Sequence, residues 1–189
     1  MKKLLTLAAF TALLSCGGNS DESADSVEMS KEVNRSIDST NTGADAQTAA
    51  DKNFLVEAAS GGLMEVQLGK YVQANAASPA VKNFAKMMAE DHTKADSMLT
   101  TIATVKGIAV PNIPGEKHQH HINELTKKKG KELDKDYMKL MVDDHEEDIK
   151  KFEEAANNAQ DTDIRKFAAE TLPVLKKHLE EAKKINEKN

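Results

Sequence analysis

Between residues 81 and 102 the apolar positions recur at three- and four-residue steps. Val81, Phe84, Ala85, Met88, Ala95, Leu99 and Ile102 fall on one side of a helix, and Lys82, Lys86, Glu90 and Lys94 fall elsewhere around it. The same rhythm predicts three further long helices. Over 51–77 the stripe reads Phe54, Ala58, Gly61/Gly62, Glu65, Leu68/Gly69, Val72 and Ala76. Over 131–158 it reads Tyr137/Met138, Met141, His145, Asp148/Ile149, Phe152 and Ala156. After Asp161-Thr162 it reads Ile164, Phe167/Ala168, Thr171, Val174/Leu175, His178, Leu179, Ala182 and Ile185. Ser78-Pro79 supplies a stop and a start, with Ser78 as N-cap and Pro79 in the first helical position. Gly107 closes the second helix, and Pro173 inside the fourth predicts a kink. The segment 108–115, with Pro111 and Pro114, reads as the non-helical connection, and a further helical stretch over 116–129 is interrupted at Gly130. Two helical hairpins, each with an apolar stripe, predict an all-α, antiparallel four-helix bundle over 51–189.

Each stripe carries one residue that does not belong in hydrocarbon: Glu65, His92, His145 and His178. A buried ionisable group needs a partner, so their relative heights matter. Counted from the turn near residue 78, Glu65 and His92 are level. Counted from the turn near 159, His178 lies about 6 Å further along than His145, one helical turn. Asp148, on the inward side one turn from His145, narrows that gap. A carboxylate and three imidazoles suit a divalent transition metal such as zinc, iron, manganese or copper. The same residues also suit a metal-free network of buried ion pairs and hydrogen bonds. Both readings stand at this point. His118, His120 and His121 form a second candidate locus, with the i, i+3 pair His118/His121 able to share an ion, but the segment reads more simply as a solvated helix start.

The residues before the bundle have a different character. Lys2 and Lys3 precede a short apolar run, Leu4 to Leu14, with the length of a signal-peptide core over 1–15. The run ends in Leu13-Leu14-Ser15-Cys16, which resembles the bacterial lipoprotein box and makes Cys16 the expected lipidation site. Cys16 is the single cysteine, so no internal disulfide can form. Residues 16–50, rich in Ser, Asp, Asn, Thr and Gly, read as a flexible tether in which Val27, Val33 and Ile37 support at most a brief helical turn. The expected partner is thus a membrane, reached through an N-terminal lipid anchor in the cell envelope, at the outer membrane. A net charge of -5 offers no broad basic surface for nucleic acid. No Ser-His-Asp order, cysteine nucleophile or phosphate-cradling glycine loop occurs in a suitable context, which argues against those enzyme classes.

Two strings in the first hairpin, Phe54-Leu-Val-Glu-Ala-Ala-Ser-Gly-Gly-Leu-Met-Glu65-Val-Gln-Leu-Gly-Lys70 and Val81-Lys-Asn-Phe-Ala-Lys-Met-Met-Ala-Glu-Asp-His92-Thr-Lys-Ala95, resemble the exported bacterial domain-of-unknown-function family 4142. Met141-Val-Asp-Asp-His145 and Thr171-Leu-Pro-Val-Leu-Lys-Lys-His178-Leu179 extend the resemblance, which covers about Asn53 to Ile185. It implies a ferritin-like bundle in the periplasm or outer membrane, with Glu65, Asp91, His92, His145 and His178 at the family's polar positions. It implies no particular activity. The ferritin di-metal pattern of Glu-x-x-His is missing, because Ala89, Val142 and Leu175 stand three residues before the three histidines. The expectation is an envelope lipoprotein whose Glu65/His92/His145/His178/Asp148 cluster binds one divalent transition metal. The alternative is a non-enzymatic, partner-binding module with a metal-free polar core.

Overall fold

The structure, a computed structural model, describes residues 25–40 and 46–188. The signal-peptide segment and Cys16 lie outside the described residues. The described chain is all-helical: α1 (Ser26–Thr40), α2 (Ala46–Asn75), α3 (Pro79–Lys106), α4 (Glu116–Leu125), α5 (Gly130–Asn158) and α6 (Thr162–Asn186). The hairpins α2/α3 and α5/α6 pack on each other through α2 against α5 and α3 against α6, which gives the antiparallel four-helix bundle. Among the described residues no helix is long and apolar enough to cross a membrane.

The helix ends follow local chemistry, with one substitution of roles. Gly107 takes the left-handed conformation (φ 65°) in which its N–H reaches the last carbonyls of α3. Asp161 caps α6 by accepting from the Asp163 and Ile164 amides. Ser78 occupies the N-cap of α3, but its hydroxyl makes no capping bond. The buried Asp134 of α5 caps the turn instead, accepting from the Ala77 and Ser78 amides at 2.9 and 2.8 Å. α6 continues through Pro173.

The tether reading fails for residues 26–40. They form α1, and the first bundle helix starts at Ala46, not at residue 51. The segment is too polar to fold by burying apolar surface, and polar bonds hold it. Asn34 grips the backbone of Ala109 twice, donating to its carbonyl at 2.9 Å and accepting from its amide at 2.8 Å. Lys31 pairs with Glu57 at 2.6 Å and Lys52 pairs with Asp38. Asp25 accepts from the Glu116 amide at 3.0 Å, and buried Val27 closes over Gly115. α1 therefore straps the 107–115 connection onto the bundle, while Met29, Val33 and Ile37 face solvent.

The core is divided. One apolar cluster contains Met64, Leu68, Phe84, Met88, Tyr137 and Met141, and a second contains Leu55, Leu99, Phe152, Ile164, Phe167 and Leu175. On α3, α5 and α6 the polar stripe residue lies between the two, and on α2 it directly follows Met64 at the edge of the first. His92 falls between Met88 and Leu99, His145 between Met141 and Phe152, and His178 between Leu175 and Ala182. The fold thus builds one polar layer between two hydrocarbon layers.

Candidate functional site

Glu65, His92, His145 and His178 meet in this layer. His145 is fully buried, Glu65 and His178 are 1% exposed and His92 is 7% exposed. The three imidazole rings stand at the corners of a nearly equilateral triangle, with centroid separations of 5.8, 5.5 and 5.5 Å. One ring nitrogen from each lies within 4.8 Å of the others. His145 Nε2 and His178 Nδ1 are 3.4 Å apart.

Each ring turns its other nitrogen toward a carboxylate. His92 Nδ1 lies 2.7 Å from Glu65 Oε2, His145 Nδ1 lies 3.5 Å from Glu65 Oε1, and His178 Nε2 lies 3.3 Å from Asp91 Oδ2. The nitrogens turned away from these carboxylates are His92 Nε2, His145 Nε2 and His178 Nδ1. Close as they are, the Glu65 contacts are poorly aligned for hydrogen bonding. Both Glu65 oxygens, His92 Nε2 and His145 Nδ1 are buried without a well-formed hydrogen bond. Such orphans are costly, so this layer is not maintained by a satisfied network of its own.

The electrostatics point the same way. Burial pushes the His92, His145 and His178 imidazolium forms down, His178 to about 4, with the neighbouring rings adding to the effect on His145 and His178. Burial raises Glu65 well above the usual carboxylate range, and Asp148 and Asp96 raise it further. Desolvation thus disfavours the charged forms of both partners in the 2.7 Å contact between His92 and Glu65. Neutral imidazole is the form that ligates a metal.

Asp148, expected to join the histidines, stands on α5 grouped with Glu65 rather than with the three imidazoles, with about a fifth of its side chain exposed and Lys151 Nζ 3.9 Å away. Two acids that the sequence reading passed over join it. Asp144 is buried and contributes, with Glu65 and Asp148, to a group whose oxygens lie within 4.8 Å of one another. Asp96, one turn beyond His92, presses against Gly62, where an added Cβ would stand 2.1 Å from its Oδ1. A narrow cavity of about 20 Å³ opens among Gly62, Glu65, His92, Asp96, Asp148 and Thr171, room for one water or ion. Asp91 also emerges as a partner of His178, having been marked only as a family position.

The second locus does not assemble. His118 is buried, not solvated as its helix-start position suggested, and its Nδ1 lies 2.6 Å from Ser60 Oγ. Ser60 Oγ in turn accepts from the Gly115 amide at 2.8 Å. Burial takes His118 down to about 4, while His120 is exposed and His121 half-buried. His118 closes the α4 connection onto α2 and is not paired with His121.

These shifts give the metal-free protein a definite pH dependence. Burial raises Asp96 to about 6 and Asp144 and Asp148 to about 7. Their contribution to stability is complete below about pH 4 and is lost as pH rises through 6 and 7. His118 and His178, lowered to about 4, contribute with the opposite sign, their stability being present above about pH 6.5 and lost on acidification. The two trends offset between about pH 4.5 and 6, and only the carboxyl groups still titrate above about 6.5. The melting temperature without metal is expected to fall between pH 6.5 and 8. A rise over that interval would show that the acids are held ionised by partners.

In comparisons with known proteins, a family model described as "Domain of unknown function (DUF4142)" matches residues 38–185. No curated protein and no solved structure matches the chain.

Proposed function

Taking as premise that the chain belongs to the DUF4142 family, we propose that it is a lipid-anchored envelope protein whose bundle holds a divalent transition metal among His92, His145 and His178. The observation that carries this reading is the ring triangle. A metal about 2.1 Å from three imidazole nitrogens at near-tetrahedral angles places the ring centres about 5.3 Å apart, close to the 5.5–5.8 Å found here. Glu65 and Asp91 stand on the far sides of the rings, where outer carboxylates orient metal-bound histidines and raise their basicity. A bound dication would also offset the buried acids. The residues fit zinc, iron, manganese or copper. Neutral imidazole is a borderline donor and does not by itself select among these metals.

The site supports retention of a metal, for sequestration, sensing or weak redox protection, better than it supports an oxidase. No Glu-x-x-His pairs are present to build a symmetric di-iron centre. The membrane part of the proposal rests on Lys2, Lys3, the Leu4–Leu14 run and Cys16. In cells Cys16→Ser is expected to move the protein from the membrane to the soluble fraction, and unchanged membrane association would remove the anchor from the proposal.

Protein purified without a histidine tag is expected to retain about one metal per chain and to melt at a higher temperature when zinc, manganese, iron or copper is added in excess of its Kd. His92→Ala and His145→Ala should each abolish both effects, whereas replacing exposed His120 should change neither. Sub-stoichiometric metal together with an unmoved melting temperature would leave the metal-free network as the correct reading.

A further inference from the structure

We infer that Glu65, Asp144 and Asp148 form a second cation position, for a hard, oxygen-preferring dication of the manganese(II) type, beside the three-imidazole position. This goes beyond the proposed function and uses it only to fill the imidazole position with zinc. One oxygen from each of the three carboxyl groups lies within 4.8 Å of the other two. Oxygens bound to one dication at about 2.1–2.4 Å can be no more than about 4.8 Å apart when they lie opposite each other, so all three can reach a common ion with little movement.

The cluster is short of positive charge and of hydrogen bonds. Lys117 is engaged with Glu147 at 3.1 Å, and Lys151 reaches Glu147 at 2.7 Å while staying 3.9 Å from Asp148. Asp144 Oδ2 and both Glu65 oxygens are buried without hydrogen-bond partners. Two donors that are not acids are orphaned alongside them. His145 Nδ1, on a fully buried ring, lies 3.5 Å from Glu65 Oε1, and the fully buried Tyr137 hydroxyl beside Glu65 has no hydrogen-bond partner. Three acids, an imidazole nitrogen and a phenol gathered with so few mutual bonds are costly as a purely structural feature. They fit a coordination sphere with outer donors around it. Glu65 lies between the two positions, facing the Nδ1 atoms of His92 and His145 on one side and Asp144 and Asp148 on the other. Partly exposed Asp148 provides the entry path.

Metal-free, untagged full-length protein would be titrated with manganese(II) chloride alone, and free Mn²⁺ followed by its electron paramagnetic resonance signal. One manganese per chain should bind at the carboxyl position in protein already loaded with one equivalent of zinc. The double variant Asp144→Asn/Asp148→Asn should weaken that manganese by at least about 100-fold while retaining the zinc. The amides keep the shape of the side chains, and circular dichroism with the retained zinc verifies the fold. Single Asp148→Asn, at the least buried of the three, gives an independent and smaller loss. Exposed Asp143→Asn should leave manganese binding unchanged. Wild-type protein that binds no manganese, or a double variant that binds it as tightly as wild type, overturns the second position. Failure of the imidazole reading would appear separately, as zinc that does not bind and a His178→Ala variant identical to wild type.

Discussion

Gly69→Val is expected to destabilise the bundle by about 3 kcal/mol, read as a lower denaturant midpoint with little change in slope. A Cβ at Gly69 would stand 2.7 Å from the Ala85 carbonyl oxygen and 3.0 Å from Ala89 Cβ. These atoms belong to the backbone and first side-chain carbon of α3, so no rotamer change relieves the contact. α2 and α3 would have to separate. Gly69 lies one turn beyond Glu65 on the same face of α2, so separation would also draw Glu65 away from His92. The variant should therefore lose metal affinity as well as stability. Gly61 is the natural control. Its nearest neighbours to an added Cβ are 3.9 Å away, and Gly61→Ala should be neutral or stabilising by up to about 1 kcal/mol through helix propensity. If Gly69→Val melted like wild type, the close approach of α2 and α3 would not be what sets the spacing of the polar layer.

Glu65→Met is expected to change stability and metal binding in opposite directions. Without metal, the wild-type protein carries a 1%-exposed carboxyl group with both oxygens unsatisfied and with Asp96 and Asp148 nearby. Methionine has a similar reach and fills the volume flexibly. Replacing the acid by an apolar side chain should stabilise the metal-free protein by about 1–3 kcal/mol. The rise in melting temperature on adding metal should shrink at the same time, because the outer partner of His92 and His145 is gone. Metal-free Glu65→Met that melts below wild type would identify Glu65 as a net stabilising partner of His92 and favour the metal-free network. The wild-type protein on this view carries strain in its polar layer that a ligand relieves.

Much of this layer is legible from periodicity. His92, Glu65, His145 and His178 each fall on a stripe, and counting from the turns places Glu65 opposite His92. The same count overstates the gap between His145 and His178. With the observed helix bounds, Glu65 stands closer to the Asn75 end of α2 than His92 stands to the Pro79 start of α3. His145 likewise stands closer to the Asn158 end of α5 than His178 stands to the Thr162 start of α6. The two hairpins carry the same offset, just under one helical turn. Side chains tilt toward their own helix N-terminus, which moves His92 and His178 toward their turns and Glu65 and His145 away from theirs. The tilt closes an offset that Cα counting leaves open.

What the stripes miss has a common cause. A four-helix reading assigns each helix one inward face, whereas α2 is covered by α1, α3, α4 and α5. Leu55, Val56 and Met64 are therefore buried although the α2 stripe omits them. Asp144 sits on a side of α5 that a closed four-helix bundle would leave wet, and α4 packs against α5. Asp96 had a usable signal, the i+4 spacing from His92 opposite the Gly61/Gly62 pair. α1 had almost none, since single polar bonds such as Asn34 to Ala109 leave no mark on hydrophobic periodicity.

Zinc K-edge X-ray absorption of untagged protein carrying one equivalent of zinc reads the proposed ligand set directly. Three imidazole nitrogens at about 2.0–2.1 Å are expected, completed by oxygen, with the zinc lost in His178→Ala as in His92→Ala and His145→Ala. A shell holding at most one imidazole, or protein that retains no zinc, would contradict the assignment of His92, His145 and His178 as the metal ligands.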